Sequence, residues 1–148
     1  MSQDDSKFEL TSRSWQELSV AERRNKLLEL EDACKQYEQV DIDLQEFLCE
    51  GVYVRHGLLK AGTTIVGEIH KKAQINIVSC GKIRVATDEG VKIITVPTIF
   101  ISPAGVKRAG YVLEDTVWST IHATTETDPI NRRAEFVANS YNELELKE

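Results

Sequence analysis

The hydrophobic period of this chain changes at residue 40. From Val40, Ile42 and Leu44, alternating with Asp41, Asp43 and Gln45, apolar residues fall at every second position and continue so almost to the end. That alternation places one face of an extended strand against a core and the other toward solvent. The segments 40–48, 52–59, 63–70, 74–80, 82–87, 91–96, 98–102, 107–113 and 116–123 read as strands, cut apart by Gly51, Ala61-Gly62, Gly81, Asp88-Glu89-Gly90, Pro97, Pro103-Ala104-Gly105 and Glu114-Asp115. Eight or nine short strands with tight turns must close on themselves or split into two packed sheets to hide their edges. The expectation is an all-β jelly-roll barrel.

Helices flank this run. Ser14-x-x-Glu17 and Ser19-x-x-Glu22 both match a capping box, with the second the better start for a helix. Val20, Leu27, Leu30, Cys34 and Tyr37 then form one stripe, suited to docking on the barrel or to a seam between subunits of a homo-oligomer. Asp128-Pro129 supplies an N-cap and a first-turn proline for a short helix to about Val137, and the acidic tail Asn142–Glu148 reads as frayed. The organisation is a helical arm over 1–39, a barrel over 40–124 and a short helix with tail over 125–148, folded as one domain.

The chain has 148 residues, enough for one core without staples, and a formal charge of −6 that opposes sequence-independent binding to nucleic acid or anionic membranes. Arg23-Arg24 and Arg132-Arg133 sit among acids and read as solvated helix faces. No apolar run is long enough to span a bilayer and Met1–Ser6 is polar and acidic, so a cytoplasmic location is expected. Cys34, Cys49 and Cys80 are odd in number with no Cys-x-x-Cys pair, which points to reduced thiols used in packing.

Residues 62–108 resemble the outline of a cupin barrel: Gly62-Thr63-Thr64-Ile65-Val66-Gly67-Glu68-Ile69-His70, then Gly81, then Pro103-Ala104-Gly105-Val106-Lys107-Arg108. More widely, Gly51-Val52-Tyr53-Val54-Arg55, Ala61-Gly62-Thr63-Thr64-Ile65, Ile69-His70-Lys71, and Trp118-Ser119-Thr120-Ile121-His122-Ala123-Thr124 with Thr127-Asp128 are similar to small cupin-like proteins encoded mainly by tailed bacteriophages and their hosts. The resemblance implies a cupin-like jelly roll and a viral source, in the host cytoplasm or the virion, rather than a particular reaction. Relatives carry a histidine where this chain has Gln74 and Pro-Gly where it has Pro103-Ala104-Gly105.

A cupin metal site gathers imidazoles and a carboxylate, but the last ligand position is Arg108, which is always protonated, and the residue sharing a strand face with His70 is Lys72. No metal and no other cofactor is therefore expected. The same substitutions suit an anion: Arg108 and Lys72 as charges, His70, Gln74 and Asn76 as neutral partners, and Trp118 and His122 as the lip of a pocket. Other arrangements stay open: Arg108 paired with an internal acid such as Glu68 or lying on the outside, and the row Trp118, Thr120, His122 packed beneath the N-terminal helix. His56 has no companion at ligand spacing. No Gly-x-Ser-x-Gly elbow or phosphate loop is present. Binding of a small anionic molecule is the leading reading; an assembly protein, contacting itself or a phage partner, and a metal-dependent enzyme using His70 and His122 are the alternatives.

Overall fold

In the computed structural model the described residues are 15–145. Ser14 of the first capping box, the Met1–Ser6 start and residues 146–148 of the tail lie outside them. Helix α1 spans Val20–Cys34 and begins with the second box: Glu22 donates its backbone N–H to Ser19 Oγ at 3.1 Å, and Ser19 N–H reaches Glu22 Oε2 at 3.4 Å. Nine strands follow: β1 (Asp43–Cys49), β2 (Val52–Leu59), β3 (Thr64–Val66), β4 (Ile69–His70), β5 (Gln74–Thr87), β6 (Gly90–Thr95), β7 (Thr98–Ser102), β8 (Ala109–Ala123) and β9 (Val137–Ala138). Helix α2 (Pro129–Phe136) and the single turn α3 (Asn142–Glu145) complete the described elements, so part of the expected frayed tail is helical. Asp128 caps α2 by accepting from the N–H groups of Ile130 and Asn131.

Two segment pairs expected as separate strands are single long strands. β5 runs through Gly81 and β8 through Glu114-Asp115, with the register between them shifting at Val78, Cys80 and Lys82. These bulges fold one sheet into two walls. One wall is ordered β1-β2-β8-β5-β7, using the C-terminal half of β8 and the N-terminal half of β5; the other comprises β3, the rest of β8 and β5, and β6. The short pair β4–β9 forms a second, two-stranded sheet. Leu59, Val78, Ile83, Val85, Ile94 and Val112 pack between the walls, with Ile65, Phe100 and Trp118 against them. Each is buried because period-two alternation turns it inward.

α1 docks through Leu27, which is 1% exposed, and through Lys107, a buried ammonium 2.6 Å from Glu31 that also donates to Gly67 O. Leu27 is thus committed to its own barrel rather than free for a subunit seam, while Val20, Leu30 and Tyr37 of the stripe are exposed and Cys34 is half-buried. The arginine pairs are anchors rather than solvated faces. Arg23 donates to the carbonyls of Trp15, Gln16 and Asp88, Arg24 pairs with Asp88 at 2.9 Å, and Arg132 is buried 4.2 Å above the Tyr53 ring; only Arg133, bound to Glu68, is exposed. Sequence composition could not show which carbonyls fold back to meet them. The thiols are free, as expected, but Cys49 and Cys80 are exposed, since both stand near strand ends or bulges instead of in the core.

Candidate functional site

The inner face of the larger wall is built in rows. Register places Tyr53 beside His122, Arg55 beside Thr120, Thr120 beside Asn76, Asn76 beside Phe100, and Gln74 beside Ser102. One step further along, Gly57, Trp118, Val78 and Thr98 begin the apolar interior. The barrel is therefore greasy at one end and polar at the other. Gln74, Asn76, Ser102 and His122 are all buried, and burial of polar groups demands partners. Asn76 meets most of that demand: its Oδ1 accepts from Gln74 Nε2 at 3.2 Å and Trp118 Nε1 at 3.0 Å, and its Nδ2 donates to Ser102 Oγ at 2.7 Å.

Two atoms are left over. Gln74 Oε1 and His70 Nδ1 are buried with no hydrogen-bond partner. His70 arrives from β4, held by its own N–H to Val106 O and by Gly105 N–H to its carbonyl. Its ring lies 6.2 Å from that of His122, which Phe136 of α2 covers at 4.6 Å and whose Nε2 is 3.1 Å from Thr120 Oγ1. Both imidazoles are neutral near pH 7. Burial pushes His70 down to about 4, helped by the positive charge of Arg108, and burial with the field of Arg55 does the same for His122.

Arg108 forms the opposite wall. Its guanidinium carbon stands 5.5 Å from the Phe100 ring centre and 5.6 Å from that of Trp118, a cation held by two aromatic faces. Among the described residues nothing hydrogen-bonds or ion-pairs with it. Burial pulls it down to about 10, with Glu89 the one acid acting in the opposite sense. It borders an open cavity of about 330 Å³ that also presents Phe100, Ser102, Lys92 and Glu89. Glu68, the acid considered as its internal partner, pairs instead with Arg133.

Of the residues singled out from sequence, the structure brings together His70, Gln74, Asn76, Arg108, Trp118 and His122. Lys72 stands apart: it is mostly exposed and pairs with Glu135 of α2 at 2.9 Å, because the chain leaves β4 at His70 and the strand phase does not continue. The row Trp118, Thr120, His122 does share a face, but that face is the lumen, closed at His122 by the C-terminal helix and not by the N-terminal one. Phe100, Ser102, Lys92 and Tyr53 were missed. Alternation within Thr98–Ser102 already placed Phe100 and Ser102 on one side, but nothing said which side met Arg108.

No protein-family model matches the chain, and comparison with curated proteins finds no relative. Solved structures do match. A cupin 2 conserved barrel domain protein from Rhodopseudomonas palustris shares 11% identity over 62% of this chain and 71% of its own, with a TM-score of 0.52. The plu4264 protein from Photorhabdus luminescens gives 15%, 60%, 80% and 0.50. A salicylate 1,2-dioxygenase from Pseudoaminobacter salicylatoxidans gives 13% identity and 0.53 over 78% of this chain, which spans 35% of that protein. The fold is cupin-like. The likeness extends to backbone architecture and not to chemistry, since every identity is low.

Cupin folds invite the question of a metal in the lumen. His70 and His122 are neutral donors, but the charge of Arg108 acts on His70 and, among the described residues, no carboxylate joins the pair. Among the described residues no three His, Cys, Asp or Glu side chains cluster at ligating geometry. A cation beside a buried guanidinium would be repelled, so the donor set does not fit a divalent transition ion. Among the same residues no helix is long and apolar enough to cross a membrane.

Proposed function

We propose that this cupin-like barrel binds a small anionic molecule at the polar end of its lumen and acts by binding, with Arg108 as the anchoring charge. One observation carries the reading. Among the described residues Arg108, a largely buried cation, has no hydrogen-bonded acid, an arrangement costing several kcal/mol in order-of-magnitude terms unless an anion joins it. A planar guanidinium grips a carboxylate or phosphate with two parallel hydrogen bonds, and the Phe100 and Trp118 rings stand together beside it. Ser102, paired in register with Gln74, lines the same cavity and offers its hydroxyl as a further contact. The cavity volume is at the small end of the range for organic ligands. The phage source implied by the sequence motifs belongs to the same proposal.

Thermal unfolding with a panel of carboxylates and phosphates tests it. A ligand at a hundred times its Kd adds about 2.7 kcal/mol, a shift of several degrees for a chain of this length. The expected result is a saturable rise in Tm that disappears in Arg108→Ala. Purified protein carrying stoichiometric metal that leaves on His70→Ala, or a shift that survives Arg108→Ala, would overturn the reading.

A further inference from the structure

A second positive charge reaches the cavity that Arg108 borders. On β6 the alternation that buries Ile94, paired in register with Ile83, turns Lys92 to the same inner side beside Val85, a position that a hydrocarbon side chain ordinarily takes. Lys92 Nζ stands 4.9 Å from the centre of the Phe100 ring, and the Arg108 guanidinium carbon stands 5.5 Å from the same centre. Both side chains line the cavity, with Phe100 and the buried Val85 and Val106 supplying hydrocarbon beside them. Among the described residues no acid pairs with Lys92, and Glu89, in the turn between β5 and β6, is the one acid lining the cavity.

We propose that the anion held at Arg108 is a short dicarboxylate whose far carboxylate is taken by Lys92; the assignment rests on the reading of Arg108 as the anchoring charge. Two points 4.9 and 5.5 Å from one ring centre lie no more than about 10 Å apart. A charge-assisted hydrogen bond of about 2.8 Å at each end leaves about 5 Å for the ligand, the reach of a four- or five-carbon diacid. Between its ends such a molecule is hydrocarbon, and the Phe100 ring with the two valines gives that hydrocarbon a surface to lie on. The two cations differ in what they fix. The guanidinium fork orients one carboxylate through two parallel bonds, while the ammonium on its flexible stem follows the position of the other. Inorganic phosphate concentrates its charge at one point and leaves the hydrocarbon surface unused. Glu89 repels the second carboxylate, so its charge limits affinity rather than supplying it.

Calorimetric titration at neutral pH and fixed ionic strength compares succinate and glutarate with butyrate, which matches succinate in carbon count but carries one charge. Succinate is expected to bind about 10-fold tighter than butyrate, the gain from one more charge-assisted contact. Lys92→Met should remove that preference and Lys92→Arg should keep it. Glu89→Gln should tighten succinate binding, and Arg108→Ala should abolish binding of both acids. Lys92 and Glu89 are exposed, so neither substitution disturbs the core. Equal affinity for succinate and butyrate, a preference that survives Lys92→Met, or tighter binding of inorganic phosphate than of succinate overturns the dicarboxylate and leaves Arg108 as an anchor. No binding of any of these carboxylates or of phosphate overturns the anchor as well.

Discussion

Burial of the Arg108 charge predicts a cost to stability that a simpler side chain would avoid. That charge is held from water by the Phe100 and Trp118 rings, whose attraction offsets part of the burial cost. Arg108→Met should therefore raise unfolding free energy by about 1 kcal/mol, some 2–4 °C in Tm, while abolishing any anion-induced shift; a calorimetric melt with and without ligand reads both. The histidines act with a defined sign. His70 and His122 titrate near 4 in the folded state and near 6.5 unfolded, so the unfolded chain binds more protons between those values. Stability should be full above about pH 6.5 and fall as pH drops toward 4, by up to about 3 kcal/mol for His70. Denaturant melts across that window check it, and His70→Gln should flatten the slope.

The elements owe their shape to a few positions where the chain departs from regularity. Gly81 has φ +96°, and a Cβ there would collide with Asp115 O and with Thr116, the points where β8 crosses the bulge of β5. Gly81→Ala should cost about 2–4 kcal/mol in urea unfolding, well beyond an ordinary surface change. A cost under 1 kcal/mol would show that the bulge relaxes freely. The strands, both helix caps and the glycine positions were legible because each is a local signal: alternation at Val52–Leu59, Ser19 with Glu22, Asp128 with Pro129. The continuity of β5 and β8 was not, since Gly81 and Glu114-Asp115 read equally as turns or as bulges, and only the pairing partner decides. The same long-range dependence hid the β4–β9 pair, whose strands are two residues each and 69 positions apart in sequence at Ile69 and Ala138.

At the scale of the whole molecule, the two-walled barrel brings a buried cation, two neutral imidazoles and an amide network to one end of a lumen whose other end is hydrocarbon. Sequence showed that Arg108 stands where a metal ligand is expected in a cupin; it did not show that Lys72 would swing out to Glu135, nor that Phe100 and Trp118 would meet edge to face beside the guanidinium, because both depend on strands meeting from distant parts of the chain. The partition between lumen and back face is likewise a product of closure: the alternation that sends Asn76 inward sends Ile75 and Ile77 out. The most direct measurement is a crystal structure of the purified protein soaked in acetate and phosphate, inspected at the Arg108 guanidinium. The account predicts an anion within hydrogen-bond distance of two guanidinium nitrogens, between Phe100 and Ser102. A bidentate Arg108–Glu89 pair with no anion bound, or a metal between His70 and His122, would contradict it.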